Sequence, residues 1–402
     1  MSKKQRTLQI AGLILESEYD FNIPIPESIM QIYNAFIKNN QKLYLVGGAV
    51  RDAKLKKTPK DFDLATDAVP TRVQEILNSE NIYNFPKGES FGVISAVIDK
   101  KEYEIATFRG EDYAGGDGRR PTSVFFSDMK TDALRRDLTI NALFYDIGAH
   151  KIIDFVGGVE DIENNRVRAV GNPMDRISDD RLRAVRLLRF SHRLNSTIDQ
   201  EHLDAIIRFN QLPGVSSERI REEFIKAIES AVYPEEFLKQ YTELGLMPRT
   251  FQHLTVNKKF IPGLRNIQLI IANLLGHNKI DSIVKCLKLA KMTADEIRAI
   301  IFLLKVRDRF LNFDRLVFSP EVDGKWLESL TEERDLVLRN GLLTENDLLQ
   351  WAQITGINTL VMKAFVKFTP IYNASSFPHL PEGKELGDEI RKNNARHFLE
   401  NL

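Results

Sequence analysis

Leu43-Tyr44-Leu45-Val46-Gly47-Gly48-Ala49-Val50-Arg51-Asp52, followed shortly by Asp61-Phe62-Asp63, is the stretch on which the fold turns. Its four leading apolar residues read as a short strand running into a glycine pair, and a helix is predicted from about Ala49. Two glycines between strand and helix let backbone N–H groups come close to a phosphate, and Arg51 can add a charge-assisted contact. The plainer alternative is a tight turn. Phe62 to Leu64 is predicted to lie on the next strand. Side chains at i and i+2 of a strand share a face, so Asp61 and Asp63 converge while Phe62 turns into the core. Converging carboxylates repel unless a cation sits between them, and Mg²⁺, a hard ion with oxygen ligands, suits phosphoryl transfer. An isolated Asp-x-Asp is more commonly a solvated loop; the strand context and the ten residues from Arg51 to Asp61 favour a metal pair here.

Outward from this stretch the chain reads as mixed α/β from about residue 28 to 160. Val93–Ile98 and Tyr103–Phe108 are predicted to form a hairpin turning at Asp99-Lys100-Lys101. Leu143–Asp146 and Lys151–Asp154 form a second hairpin around Gly148. Glu111 to Pro121, rich in glycine and charge, is predicted to be a mobile loop that includes Asp117, Gly118, Arg119 and Arg120. In Arg135-Arg136-Asp137-Leu138-Thr139-Ile140-Asn141-Ala142, the side chains of Arg136, Asp137 and Asn141 offer donors and acceptors suited to a triphosphate and a ribose hydroxyl. The competing reading is a capped helix with Asp137 in its first turn. After about residue 160 helical periodicity takes over, broken at Pro213-Gly214, Pro234, Pro248, Pro262, Pro320 and Pro370.

Charge is distributed unevenly. The 402-residue chain has a formal net charge of zero, so nucleic acid binding requires local concentration. Between Arg166 and Arg193 stand eight arginines against Asp175, Asp179 and Asp180. Asp180, Arg183, Arg186 and Arg189 recur at three-residue intervals, a slowly drifting stripe on one helix, with Leu182, Val185 and Leu188 roughly opposite. The bland reading is a solvated arginine-rich face. The ordered acid–arginine series has a chemical use, however. Cytosine and adenine both pair a ring acceptor with an exocyclic amino donor, and an Arg beside an Asp complements both. Uracil and guanine present the reverse polarity and leave both side chains unpaired. A protein pair can thus stand in for a template base, with Arg186 and Arg189 stacking on the base or holding phosphates.

Other classes find little support. At 43% hydrophobic and 28% charged residues the composition is that of an ordinary globular protein. No apolar run approaches the roughly 18 residues that span a bilayer, and the basic-then-apolar N-terminus lacks a cleavage signal. The single cysteine, Cys286, excludes an internal disulfide and fits a reducing cytoplasm. The seven histidines form no metal-binding spacing. No membrane or DNA partner is expected.

Together the four motifs resemble the class II tRNA nucleotidyltransferase and bacterial poly(A) polymerase family, in order and with consistent spacing over roughly residues 40 to 235. Asp154-Phe155-Val156-Gly157-Gly158-Val159-Glu160-Asp161 is similar to its connection before the helical neck. The resemblance implies an α+β fold. It would have an N-terminal nucleotidyltransferase (polymerase β-like) mixed-sheet head over residues 1–160. An all-helical neck with the base-selecting helix would follow over 161–235, and a helical body and tail binding tRNA over 236–402. It implies that Asp61 and Asp63 hold Mg²⁺ and that Gly47, Gly48 and Arg51 contact the nucleotide. Arg136, Asp137 and Asn141 would take the ribose and triphosphate, and Asp180, Arg183, Arg186 and Arg189 the base. The implied activity is addition of C, C and A to the 3′ end of tRNA from CTP and ATP. The sequence departs from the pattern at Asp179, where Glu is usual, and at Leu187-Leu188, where a small residue is usual. No phosphohydrolase motif follows. The loop at 117–120 argues against a CC-only enzyme, and Lys101–Gly110 lacks the basic segment of the poly(A) polymerase branch. The alternatives are an A-adding enzyme, a poly(A) polymerase, and a non-catalytic RNA-binding module on a decayed head. The last predicts losses in the acid pair or the base-selecting helix, and both are intact.

Overall fold

A computed structural model describes residues 16–59, 61–88, 92–112, 123–252, 254–311, 313 and 318–402. The chain divides into two compact units, Met1–Val232 and Tyr233–Leu402.

In the first unit the elements alternate. They run β1 (Ser17–Asp20), α1 (Glu27–Lys38), β2 (Leu43–Val46), α2 (Gly48–Lys54), β3 (Asp63–Thr66), α3 (Pro70–Ser79), β4 (Tyr83–Gly88), β5 (Val93–Ile98) and β6 (Lys101–Thr107). The ribbon β7 (Arg109–Asp112) and β8 (Ser123–Phe126) follows, then α4 (Met129–Arg135), a 3₁₀ turn (Thr139–Asn141), β9 (Phe144–Asp146) and β10 (Lys151–Asp154). Eight strands form one mixed sheet in the order β1-β10-β9-β2-β3-β6-β5-β4; β7 and β8 pair separately. Every pairing of the large sheet is antiparallel except β3 with β6.

The central strand β2 is buried along its whole length. Leu43 and Leu45 enter one core with Phe36, Val50, Leu64, Ile76 and Ile105. Tyr44 and Val46 enter another with Phe108, Phe144 and Phe155. Alternation along a pleated strand therefore feeds two cores, one on each face. Phe62 packs against the first core, as its parity predicts, but β3 begins only at Asp63, so Asp61 precedes the strand.

Both predicted hairpins form. The first turns through Asp99 and Lys100, both with positive φ, the backbone of a two-residue primed turn. The predicted loop is corrected at its near end: Glu111 and Asp112 belong to β7, which pairs with β8. Asp117, Gly118, Arg119 and Arg120 lie outside the described residues.

Helices then take over: α5 (Gly158–Glu163), α6 (Pro173–Asp179), α7 (Leu182–Leu194), α8 (Gln200–Arg208) and α9 (Ser217–Ser230). The turn into α5 is built by Asp154, whose carboxylate accepts from the backbone N–H groups of Val156, Gly157 and Val159, each at 2.9 Å. Gly157 supplies φ 80°. Asp161 ties α5 back to the 3₁₀ turn through Thr139 Oγ1 at 2.6 Å and takes Arg168 Nε at 2.7 Å.

The second unit is helical throughout its described residues: α10 (Pro234–Glu243), α11 (Met247–Thr250), α12 (Ile267–Leu275), α13 (Ile280–Leu289), α14 (Ala294–Phe310), α15 (Pro320–Arg339), α16 (Glu345–Thr355), α17 (Thr359–Lys367) and α18 (Lys384–Glu400), with a 3₁₀ turn at Ala374–Ser376. Pro234 and Pro320 sit in the first turns of α10 and α15, where the missing N–H costs nothing. Thr293 and Glu296 form a capping box at the start of α14. Phe310, Phe313, Phe318, Trp326, Phe365 and Phe398 make a linked aromatic cluster. Among the described residues no helix is long and apolar enough to cross a membrane.

A Cβ placed on Gly158 would lie 2.2 Å from the carbonyl oxygen of Thr139, a backbone atom that cannot step aside. Gly158→Ala is expected to lower stability by about 1–3 kcal/mol, the usual cost of overpacking, read as a drop in the denaturation midpoint.

Candidate active site

The ends of three strands meet at one edge of the head. Val46 pairs with Asp63 on one side and with Phe144 on the other. The residue after Val46 is Gly47, whose φ of 74° and ψ of −123° suit glycine and whose N–H donates to Leu143 O at 3.0 Å. The turn therefore lies beside Asp63 and beside the segment that carries Arg136, Asp137 and Asn141. These residues line a cleft of about 500 Å³ together with Gly48, Arg51, Asp61 and Arg186, a size suited to one small ligand. Asp52, Lys57, Thr58, Phe190 and Arg193 complete the lining. Sequence reasoning had passed over these five, although Asp52 and Phe190 stand next to residues it named.

Arg51 is 3% exposed; its Nη1 donates to Asn141 Oδ1 at 2.5 Å and its Nε to Asp52 Oδ1 at 2.8 Å. At the wall of the cleft it thus ties the glycine turn to the Arg136–Asn141 segment. Asp61 and Asp63 have no hydrogen-bond or ion-pair partner among the described residues. The Asp63 carboxyl is pushed above its ordinary value, first by desolvation, then by Glu104 on β6, with Asp61 adding and Arg136 opposing. Two carboxylates that line one cleft without a partner among the described residues fit a hard divalent cation. A second acidic group, Asp199, Glu201 and His202, does not. His202 Nε2 accepts from Ala169 N at 3.1 Å, so the neutral ring carries its proton on Nδ1, the atom that would have to bind metal.

The Asp180–Arg189 series, expected to select the base, is the largest correction. Asp180 is not on the helix with the three arginines: α6 ends at Asp179, and Asp180 is extended, with φ −139° and ψ 106°. Its Oδ1 accepts from Leu182 N at 3.1 Å, capping α7, and its Oδ2 accepts from Arg219 Nη2 at 3.0 Å. Three-residue spacing does not separate a helix-interior acid from a capping one, and Asp prefers the cap. Arg183 donates to the carbonyls of Arg176 at 3.1 Å and Arg135 at 3.3 Å. Arg186 grips Asp137 through Nε at 2.8 Å and Nη2 at 2.6 Å, and Arg189 donates to Glu223 at 2.7 Å. The arginine stripe is therefore largely buried, with Arg183 at 7% and Arg189 at 9% exposure. Asp180, Arg183 and Arg189 are not among the cleft's lining residues. Arg219 and Glu223, four apart on α9, hold the motif in place. Only their one-turn spacing on a helix hinted at this, and nothing in the sequence says which helix they face. Around the Phe190 ring stand the guanidinium carbons of Arg189 at 4.3 Å, Arg51 at 5.1 Å, and Arg186 and Arg193 at 5.8 Å.

Residues 43–168 match the Poly A polymerase head domain. A CCA-adding enzyme of Staphylococcus epidermidis (strain ATCC 12228 / FDA PCI 1200) is 31% identical over 371 residues, 90% of this chain and 88% of that protein. The chain belongs to the class II CCA-adding enzyme family. The crystal structure of the Bacillus stearothermophilus CCA-adding enzyme in complex with CTP shares the fold, at TM-score 0.64 and 23% identity over 94% of both chains. So does a Thermotoga maritima CCA-adding enzyme complexed with tRNA, at TM-score 0.63 and 16% identity, covering 93% of this chain and 92% of that one. The mixed-sheet head with a mostly helical remainder is the family's architecture, and the nucleotidyltransferase head implies use of a divalent cation.

Asp137 offers a test of the buried ion pair. Burial alone would raise its pKa, but Arg186 outweighs that and holds it at about 2. An unfolded aspartate titrates near ~3.9, so the pair's stabilisation is complete above that value and is lost as pH falls through about 2. Asp137→Asn is expected to flatten the decline in stability between about pH 4 and about pH 2, measured by denaturant unfolding across that range.

Proposed function

We propose that this protein adds C, C and A to the 3′ end of tRNA from CTP and ATP, releasing pyrophosphate. The observation that carries the reading is the convergence of an unpartnered acid pair, a glycine turn and Arg136 in one cleft, in a chain similar to CCA-adding enzymes along most of its length. The tRNA 3′-hydroxyl gives up its proton to solvent as its oxygen forms a bond to the α-phosphorus, the bond from that phosphorus to the bridging β-phosphate oxygen breaks, and pyrophosphate leaves. Asp61 and Asp63 would hold the cation, with Mg²⁺ the ion proposed. A cation held there would supply Lewis acidity, lowering the pKa of the attacking hydroxyl and steadying the leaving oxygens. The backbone at Gly47 and Gly48 leaves room for phosphate. Arg136 neutralises phosphate charge, and Asp137 and Asn141 take the ribose. Residues 1–160 act as head, 161–235 as neck, and 236–402 bind the tRNA; such a substrate is met in the cytoplasm.

Base choice is assigned to Asp180 and Arg183, with Arg186 and Arg189 holding the base and phosphates and the loop at Asp117, Gly118, Arg119 and Arg120 serving the change from C to A. Arg183 must exchange its bonds to the Arg176 and Arg135 carbonyls for the base edge, and Asp180 must give up Arg219. Selection is thus coupled to movement at the junction of α6, α7 and α9.

Purified protein given tRNA ending in no C, C or CC, with each nucleotide singly, is expected to add C to the first two and A to the third. Incorporation of ATP alone, and only onto CC, would make the protein A-adding. Asp63→Asn and Asp61→Asn are each expected to cut turnover by about 10³-fold, the loss of several kcal/mol of charge stabilisation. Alanine at Asp180 and Arg183 is expected to relax the choice among the four nucleotides. An unchanged preference in single-nucleotide assays removes that pair from base selection.

A further inference from the structure

We propose that Asp132, a residue outside the motifs described above, is the positioning residue that aims Arg136 at the nucleotide. The proposal rests on the reading of Arg136 as a nucleotide contact. Asp132 lies on α4, 1% exposed, next to Ala133 in the second core of the head. A carboxylate in such a place is costly unless its oxygens are fully engaged, and both are. Oδ1 accepts from Arg135 Nε at 2.9 Å, Arg135 Nη2 at 2.7 Å and the backbone N–H of Arg109 at 3.2 Å. Oδ2 accepts from Arg136 Nε at 3.1 Å and Nη2 at 2.8 Å.

The division between the two oxygens has a consequence for the cleft. A two-point grip fixes the plane of a guanidinium, which a point charge cannot receive. With Nε and Nη2 of Arg136 turned to Asp132, Nη1 is the remaining edge. It makes a long contact to Asn141 O at 3.4 Å and stands 3.6 Å from where a Cβ on Gly47 would be. Below it, the Phe144 ring lies 5.3 Å from the guanidinium carbon. Arg136 is therefore held from behind, with one edge presented beside the glycine turn, where an anionic phosphate group fits. Asp63, which lines the same cleft, already feels the charge of Arg136. Without Asp132, Arg136 is free to fall onto Asp63 and occupy the place of the cation. The second arginine on Asp132, Arg135, continues to Glu111 of β7 at 2.9 Å, so the same carboxylate braces the base of the ribbon.

The test is steady-state kinetics on Asp132→Asn, Arg136→Ala and the double variant, with melting curves as the folding control. Asp132→Asn is expected to raise KM for CTP and ATP together by about tenfold, the loss of one charge-assisted hydrogen bond, while KM for tRNA stays within about twofold. In the Arg136→Ala background the same change is expected to have no further effect. Arg136→Lys, which keeps the charge but not the grip, is expected to reproduce the rise, and it carries the test if Asp132→Asn does not fold. Arg135→Gln is expected to leave nucleotide KM within about twofold. Multiplicative losses in the double variant, or wild-type nucleotide KM in Asp132→Asn or Arg136→Lys, overturn the proposal. If Arg136→Ala also has wild-type nucleotide KM, the reading of Arg136 as a nucleotide contact falls with it. If Arg136→Ala is impaired and Asp132→Asn is not, only the positioning role falls.

Discussion

The antiparallel pairing of Val46 with Asp63 on one side and Phe144 on the other is the constraint from which the active cleft follows. Ladder register is set by burial on both faces of β2, because a slip of one residue would send Leu43 and Leu45 into the wrong core. Once that register is set, three things happen at the same sheet edge. The chain must turn at Gly47, Asp63 opens β3 with its side chain on the face of Tyr44 and Val46, and the Arg136–Asn141 segment arrives just before β9. Chemistry that is spread over about a hundred residues of sequence is gathered by one row of hydrogen bonds.

Around that edge the protein manages charge by pairing rather than by excess. A chain with zero net charge holds many arginines at its cleft and along α6 and α7, and nearly all of those described have acids or carbonyls of their own. Asp137, Glu223 and Asp132 each take two arginines or a two-point grip from one. Buried pairs of this kind add little net stability, since desolvation offsets attraction. What they add is geometry: a guanidinium held by its fork has a fixed plane and a defined free edge. Among the described residues Asp61 and Asp63 stand apart at this cleft, with no hydrogen-bond or ion-pair partner, and are the pair proposed to hold the cation. The Phe190 ring, with four guanidiniums around it, offers its negative face to like charges that would otherwise repel, in addition to the acids and carbonyls each arginine meets.

The same charge pairing continues where α6, α7 and α9 meet. Asp180 ends one helix and caps the next, so its side chain sits at a joint and not on a rigid face. Arg183 bridges the carbonyl ends of α6 and α4. A pair placed at helix ends, as Asp180 and Arg183 are, can be brought together by small changes in backbone, which a pair in mid-helix cannot; base selection by them is the role proposed. Arg219 and Glu223, one turn apart on α9, pull on both halves of the motif at once.

By itself the sequence determined the local elements and the residue types at the site. Strand β2 and its glycine turn, both hairpins, the acid pair and the arginine series were all legible, because alternation, turn residues and repeated charge act over a few residues. The β7–β8 ribbon was not legible, since a two-stranded pairing across Asp112 and Ser123 leaves only short, weakly alternating segments. Nor was the position of Asp180, because a three-residue rhythm fits a cap as well as a helix interior. The roles of Asp132, Glu223 and Arg219 were hidden for a different reason: a charged residue in a helix reads as solvated until the packing of its neighbours shows that it is buried and opposite an arginine. Tertiary structure alone decided which charges meet, because electrostatic partners are chosen by distance in space and by the water excluded between them, and neither is written in the order of the chain.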